Sequence, residues 1–302
     1  MPIVGTVHSY AFNKVAFEFN GHNPSHSAKN VLLFIGGLTN GLLGVHYLPK
    51  LAEKVNTVDH DGDWVLVQGI LSSAWSGWGQ SSLKTDNEEI GQIVSYLRSE
   101  NGGNRQKIVL MGHSTGCQDT LRYLCDFSYS KEFDESMEID GGILQAPVSD
   151  REAIQEWYGS EYLEKLVKEC YDEYISKGLQ EQTLPVKFSK VAFDTPITAY
   201  RFYSLYSRYG DDDFFSSYID DEGFAKTFGK VKKPLLALYG SKDPCAPKDL
   251  DIQALVSRWQ KVTNPKVWSP LSKVLVGANH EVEDPDACLE LIETVSKFIS
   301  SL

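Results

Sequence analysis

A short apolar run that stops on a glycine-flanked serine constrains this chain more than any other feature. Lys107-Ile108-Val109-Leu110-Met111 leads into Gly112-His113-Ser114-Thr115-Gly116, and the stretch Cys117 to Tyr129 follows with Leu121, Leu124 and Cys125 at helical spacing. The apolar run reads as a buried parallel strand and the following stretch as a helix. A strand that turns at once into a helix holds the residue at the turn in a strained conformation. The residues two before and two after it must then be minimal, and Gly112 and Gly116 meet that demand. Ser114 stands clear of the sheet at a helix N-terminus, where backbone N–H groups and the helix dipole favour negative charge.

The rest of the chain repeats the strand–helix alternation. Residues 3–10 and 14–20 read as an antiparallel hairpin, and a polar loop runs from Gly21 to Asn30. Val31–Ile35, Trp64–Ile70, Ile139–Pro147, Pro234–Gly240 and Lys273–Val276 read as further strands. Helical patterns lie near Pro49–Val55, Asp86–Arg98, Asp249–Gln260 and Asp286–Ile299, the second with Asp86 as its expected N-cap. From Arg151 to about Lys230 the pattern becomes aromatic and charged, with helical stretches at 152–158 and 161–176. The expected class is α/β: a mostly parallel eight-stranded sheet flanked by helices. Residues 1–150 and 231–302 form the core, and 151–230 a helical cap inserted between strands six and seven. G-x-S-x-G between a strand and a helix is the nucleophile elbow of α/β-hydrolases, which makes that the expected fold.

Composition narrows the function. No stretch of this 302-residue chain approaches the roughly 20 apolar residues that span a membrane, and the N-terminus shows no signal-peptide pattern. Five scattered cysteines without a C-x-x-C pair predict free thiols, a reducing compartment and a cytoplasmic location. A formal net charge of −12 argues against nucleic acid and anionic membranes as partners and suits neutral or cationic small molecules. There is no metal-ligand spacing and no phosphate-binding loop, so no cofactor is expected.

A serine nucleophile needs a base, an acid and oxyanion donors. Asp243 follows the seventh expected strand and His280 the eighth, so the chain order is Ser114, Asp243, His280, the order of α/β-hydrolases. The imidazole accepts the serine proton, and the carboxylate fixes its tautomer and stabilises the imidazolium. Asp150, after the sixth strand, is the rival acid. Gly36-Gly37-Leu38 after the first central strand supplies one oxyanion N–H, at Leu38, and the residue after the nucleophile, Thr115, supplies the other. Trp75 and Trp78, in a glycine- and serine-rich loop, are candidates to line a pocket or to cover the sheet edge. Asp211, Asp212 and Asp213 are candidates for an acidic rim that attracts cations, or for a solvated loop.

Four segments together carry a resemblance: Phe34-Ile35-Gly36-Gly37-Leu38-Thr39-Asn40-Gly41-Leu42, Ser76-Gly77-Trp78-Gly79, Val109 through Asp119, and Gln145-Ala146-Pro147-Val148-Ser149-Asp150-Arg151-Glu152-Ala153. The set resembles a fungal and plant family of α/β-hydrolases, long filed as a domain of unknown function, that includes intracellular siderophore esterases of the fusarinine C hydrolase type. The resemblance runs from about Gly5 to Phe298 and is weakest in the cap. It implies hydrolysis of ester bonds in hydroxamate siderophores to release iron inside the cell, with the family's nucleophile, acid and histidine at Ser114, Asp243 and His280. Fusarinine C carries free amines, which an acidic rim would suit. A general carboxylesterase or thioesterase is the alternative, and a catalytically silent hydrolase fold used for binding is a third.

Overall fold

Alternate residues of each central strand go to opposite faces of one sheet. Val31, Leu33 and Ile35 join one buried cluster while Leu32 and Phe34 join another, and Ile108 and Leu110 part from Val109 and Met111 in the same way. Strands buried on both faces have no polar side to show, which explains the continuous apolar runs. The computed structural model describes residues 2–19, 28–59 and 63–302. The polar loop expected between 21 and 30 lies mostly outside them.

The strands are β1 (Gly5–Ala11), β2 (Lys14–Phe19), β3 (Asn30–Ile35), β4 (Trp64–Ile70), β5 (Lys107–His113), β6 (Gly141–Gln145), β7 (Leu235–Gly240) and β8 (Lys273–Leu275). They form one eight-stranded sheet in the order β1-β2-β4-β3-β5-β6-β7-β8. The β1–β2 hairpin joins β4 antiparallel, and every pairing from β4 to β8 is parallel. The carboxyl ends of β5, β7 and β8 therefore share one edge.

The helices are α1 (Leu48–Val55), α2 (Leu83–Arg98), α3 (Thr115–Cys125), α4 (Asp150–Tyr158), α5 (Ser160–Glu173), α6 (Val186–Ser189), α7 (Ala199–Tyr206), α8 (Asp221–Ala225), α9 (Ile252–Val262) and α10 (Pro285–Ser300). Leu48, Leu51 and Val55 of α1 and Leu291, Val295 and Phe298 of α10 cover one face of the sheet. Ile90, Ile93 and Leu97 of α2, Leu121 and Leu124 of α3 and Trp259 of α9 cover the other. The helix α2 starts before the expected Asp86. Ser82 is its N-cap, accepting the Thr85 N–H at 3.1 Å, while Asp86 is buried in the first turn and accepts from Ser81 Oγ at 2.8 Å. A serine one turn upstream, free of any burial requirement, is the better cap.

Between β6 and β7 the chain runs through α4 to α8. Leu163, Leu166, Phe188, Phe202 and Tyr206 form a third apolar cluster there, and Trp78, from the loop after β4, is built into it. Among the described residues no helix is long and apolar enough to cross a membrane. All five cysteines are unpaired.

Candidate active site

Where β5 gives way to α3, Ser114 takes φ 54° and ψ −124°, a region that side-chain-bearing residues seldom occupy. Its N–H donates to Gln145 O at 3.0 Å and its carbonyl accepts the Cys117 N–H at 2.8 Å, so both flanking elements hold the turn. The glycines are required by space: a Cβ on Gly112 would lie 1.9 Å from Gly116 O, and one on Gly116 would lie 2.5 Å from Ile35 O. The β3 loop comes equally near, since a Cβ on Gly37 would sit 2.6 Å from Ser114 Cβ.

Asp243 lies three residues past β7, with its carboxylate buried. Oδ1 accepts the Cys245 N–H at 2.9 Å, and Oδ2 is 2.8 Å from Nδ1 of His280, in the loop after β8. With Nδ1 held by the carboxylate, Nε2 is the ring nitrogen left for the cavity. Asp150 makes no bond to His280; it accepts from Gln118 Nε2 at 2.7 Å. Of the two candidate acids, the fold brings Asp243 to the histidine. Ser114 and His280 line one cavity of about 350 Å3, with Leu38, Asp150, Trp157 and Tyr206 among its other walls.

Thr115 opens α3, so its N–H has no acceptor within the helix. Leu38 lies in the cavity wall beside Gly37, and among the described residues its N–H meets no protein acceptor. Leu38 thus shares a cavity with Ser114, whose chain neighbour is Thr115.

A buried polar network backs the site. His113 Nδ1 lies 2.5 Å from Gln145 Oε1, which also accepts the Tyr47 hydroxyl at 2.8 Å. Gln145 Nε2 donates to the His280 carbonyl at 3.4 Å. Burial, then the neighbouring His280, pushes the His113 imidazole down to about 3, so it stays neutral. The Asp150 carboxyl is pushed the other way, up to about 7, by burial and then by repulsion from Asp212. Nothing in the local sequence marks Tyr47; Gln145 opens one of the four segments that carry the resemblance, with no role read for its side chain. The signal available was a glutamine ending an otherwise apolar strand.

Other expected site residues stand elsewhere. Trp75 is 58% exposed and does not line the cavity. Trp78 is buried in the third apolar cluster, edge-on to Phe193 at 6.3 Å between ring centroids. The aromatics that do line the cavity, Trp157, Phe193 and Tyr206, come from the inserted segment. The acidic run is not a rim of the cavity either. Asp211 accepts the Tyr200 hydroxyl at 2.8 Å, Asp212 is ion-paired with Arg201 at 2.6 Å with both side chains buried, and Asp213 accepts the Tyr209 N–H at 2.9 Å. The carboxylates on the cavity wall are Asp150, Glu281 and Glu283. Of the other histidines, His8 pairs with Glu18 on the hairpin, His46 lies beside Tyr47, and His22, His26 and His60 fall outside the described residues.

Asp243, Cys245 and His280 bring ligand-type atoms within 4.8 Å of one another, though the first and last are already bonded together. The Cys245 thiol is pushed well up by burial and then by Asp243, which leaves it a poor nucleophile.

Comparison with known proteins agrees with this architecture. The family described as "Protein of unknown function (DUF1749)" matches residues 1–300. The UPF0613 protein of Schizosaccharomyces pombe is 36% identical, across 99% of this chain and 96% of that one. Fusarinine C esterase sidJ of Aspergillus fumigatus is 31% identical, across 99% and 96%. The solved siderophore hydrolase EstB from Aspergillus fumigatus superposes with a TM-score of 0.82 at 30% identity, covering 99% of this chain and 98% of that one.

Proposed function

The chain belongs to the DUF1749 family and has the α/β-hydrolase fold, and from that premise we propose that it is a serine esterase with Ser114 as nucleophile, His280 as general base and Asp243 as the acid that orients it. The observation that carries this is the 2.8 Å contact between His280 Nδ1 and Asp243 Oδ2, beside a serine held in an elbow on the same cavity. His280 Nε2 takes the Ser114 proton as Oγ attacks the ester carbonyl. The Leu38 and Thr115 N–H groups receive the developing oxyanion, each worth roughly 3–4 kcal/mol in the transition state. His280 then returns the proton to the leaving alcohol, and water repeats the sequence to release the acid. The segment 151–230 acts as a cap that shapes the acyl pocket through Ile154, Trp157, Phe193 and Tyr206.

The substrate we favour is a hydroxamate siderophore of the fusarinine C type, opened inside the cytoplasm to release its iron. Likeness to a fusarinine C esterase and a siderophore hydrolase over nearly the whole chain supports it. A cavity of about 350 Å3 lies at the small end for a drug-sized ligand, so one ester arm of a macrocycle enters at a time. The same small volume favours a second reading, a carboxylesterase of short acyl esters. Mass spectrometry of fusarinine C incubated with wild type and with Ser114→Ala separates them. Stepwise gain of water with wild type alone supports the first. No gain, with turnover of short p-nitrophenyl esters, leaves the second.

A further inference from the structure

We propose that the Asp150 carboxylate receives a protonated amine of the substrate, so that esters carrying an ammonium group are the class this cavity selects. The proposal rests on the esterase reading above and specifies its substrate.

Three observations carry it. The first is the charge of the wall: Asp150, Glu281 and Glu283 line the cavity and no lysine or arginine does. The second is the position of Asp150. Glu18, Glu89 and Asp212 are ion-paired, with Arg105, Lys14 and Arg201, whereas Asp86, Asp119 and Glu152 are buried without an ion pair and line no part of the cavity. Among the described residues Asp150 likewise makes no ion pair; it accepts the Gln118 amide at 2.7 Å, with Arg201 and His280 near enough to act on its charge, and it alone of these unpaired carboxylates opens on the cavity. An uncompensated carboxylate in a partly desolvated place is costly, and a ligand cation removes that cost. Burial and then repulsion from Asp212 push its carboxyl up to about 7, and a bound ammonium would pull it back down. The third is the company it keeps: Trp157, Phe193 and Tyr206 line the same space, and aromatic faces attract an alkylammonium.

Position adds selectivity. Asp150 follows β6 and Ser114 follows β5, and these strands pair in parallel with His113 opposite Gln145. An amine anchored on Asp150 therefore sets how far along its chain the ester meets Ser114. The chain's net charge of −12 draws cations toward the protein as a whole.

The test uses p-nitrophenyl 6-aminohexanoate and its N-acetyl counterpart, alike in reactivity and differing in one charge and one acetyl group, whose bulk the Asp150→Asn comparison separates from the charge. Wild type is expected to favour the ammonium ester by about tenfold or more in kcat/KM, chiefly through KM. Asp150→Asn, which keeps size and the Gln118 contact, is expected to bring the ratio close to one, and Asp150→Glu to keep part of it. A wild-type ratio near one, or a ratio unchanged in Asp150→Asn, overturns the proposal; the second is what a purely structural Asp150 would give. Should the variants fail to fold, competition on wild type decides. Hexylammonium should inhibit at a concentration at least about tenfold below hexanol, and equal potency overturns the proposal. Wild type that hydrolyses neither ester overturns the esterase reading instead. Hexylammonium raising the melting temperature where hexanol does not would then still support cation binding, and no such difference would overturn it.

Discussion

The imidazoles of His113 and His280 lie 5.0 Å apart between ring centroids, tilted by 51°. His113 is buried with its Nδ1 against Gln145 and stays neutral, so it places no cation beside His280. The depressed His113 also bears on stability. Its folded value of about 3 lies below the ordinary 6.5, so the unfolded chain takes up a proton that the folded one refuses. Stability from this group is complete above pH 6.5 and is lost as pH falls toward 3. The His113→Gln variant should therefore lose less melting temperature than wild type between pH 7 and pH 5, as calorimetry can measure. Parallel losses would mean that His113 is charged in the fold.

Removing the nucleophile or the base should lower kcat by roughly 10⁴–10⁶ without changing the fold. Asp243→Asn should cost about 10⁴, because Nδ1 of His280 would lose its charged acceptor. Ester turnover and circular dichroism on the three variants check this, and near-wild-type turnover by Ser114→Ala would remove the serine mechanism.

Gln145→Ala withdraws one oxygen that serves two buried donors, the Tyr47 hydroxyl and His113 Nδ1–H. Leaving both unpaired should destabilise the protein by about 2–4 kcal/mol in urea unfolding. The loop carrying His280 loses its tie at 3.4 Å in the same step, so kcat should fall while KM moves less.

Asp212→Asn should destabilise by about 3–5 kcal/mol, because Arg201 would remain buried without a counter-charge. It should leave the preference between ammonium and N-acetyl esters where it was. A shift in that preference would return the acidic run to the substrate's path.

The legible and the illegible parts of this site differ in range. Strands with four or more buried residues in a row, a serine between glycines, and an acid and a histidine just past strand ends are local patterns, and each is where the sequence places it. The partner of a given aspartate is not local. Asp212 pairs with Arg201 because the chain around α7 folds back on itself, and Trp78 faces the segment between β6 and β7 because the loop after β4 is drawn into it. The Tyr47–Gln145 bond spans 98 residues of chain, and the early start of α2 depends on Asp86 being buried.

Trp78 ties the segment between β6 and β7 to the loop after β4. The side chain is enclosed by residues of that segment, the Trp78 carbonyl accepts Arg201 Nε at 3.1 Å, and the Gly79 carbonyl accepts the Thr198 N–H at 2.9 Å. Hinging the segment away from the sheet would extract an indole from its socket, at roughly 4–6 kcal/mol of lost burial. At that cost an open form is populated in about one molecule in a thousand or fewer. Turnover that does not pass through it should have a kcat indifferent to solvent viscosity, and a kcat that falls with viscosity would make opening part of the cycle.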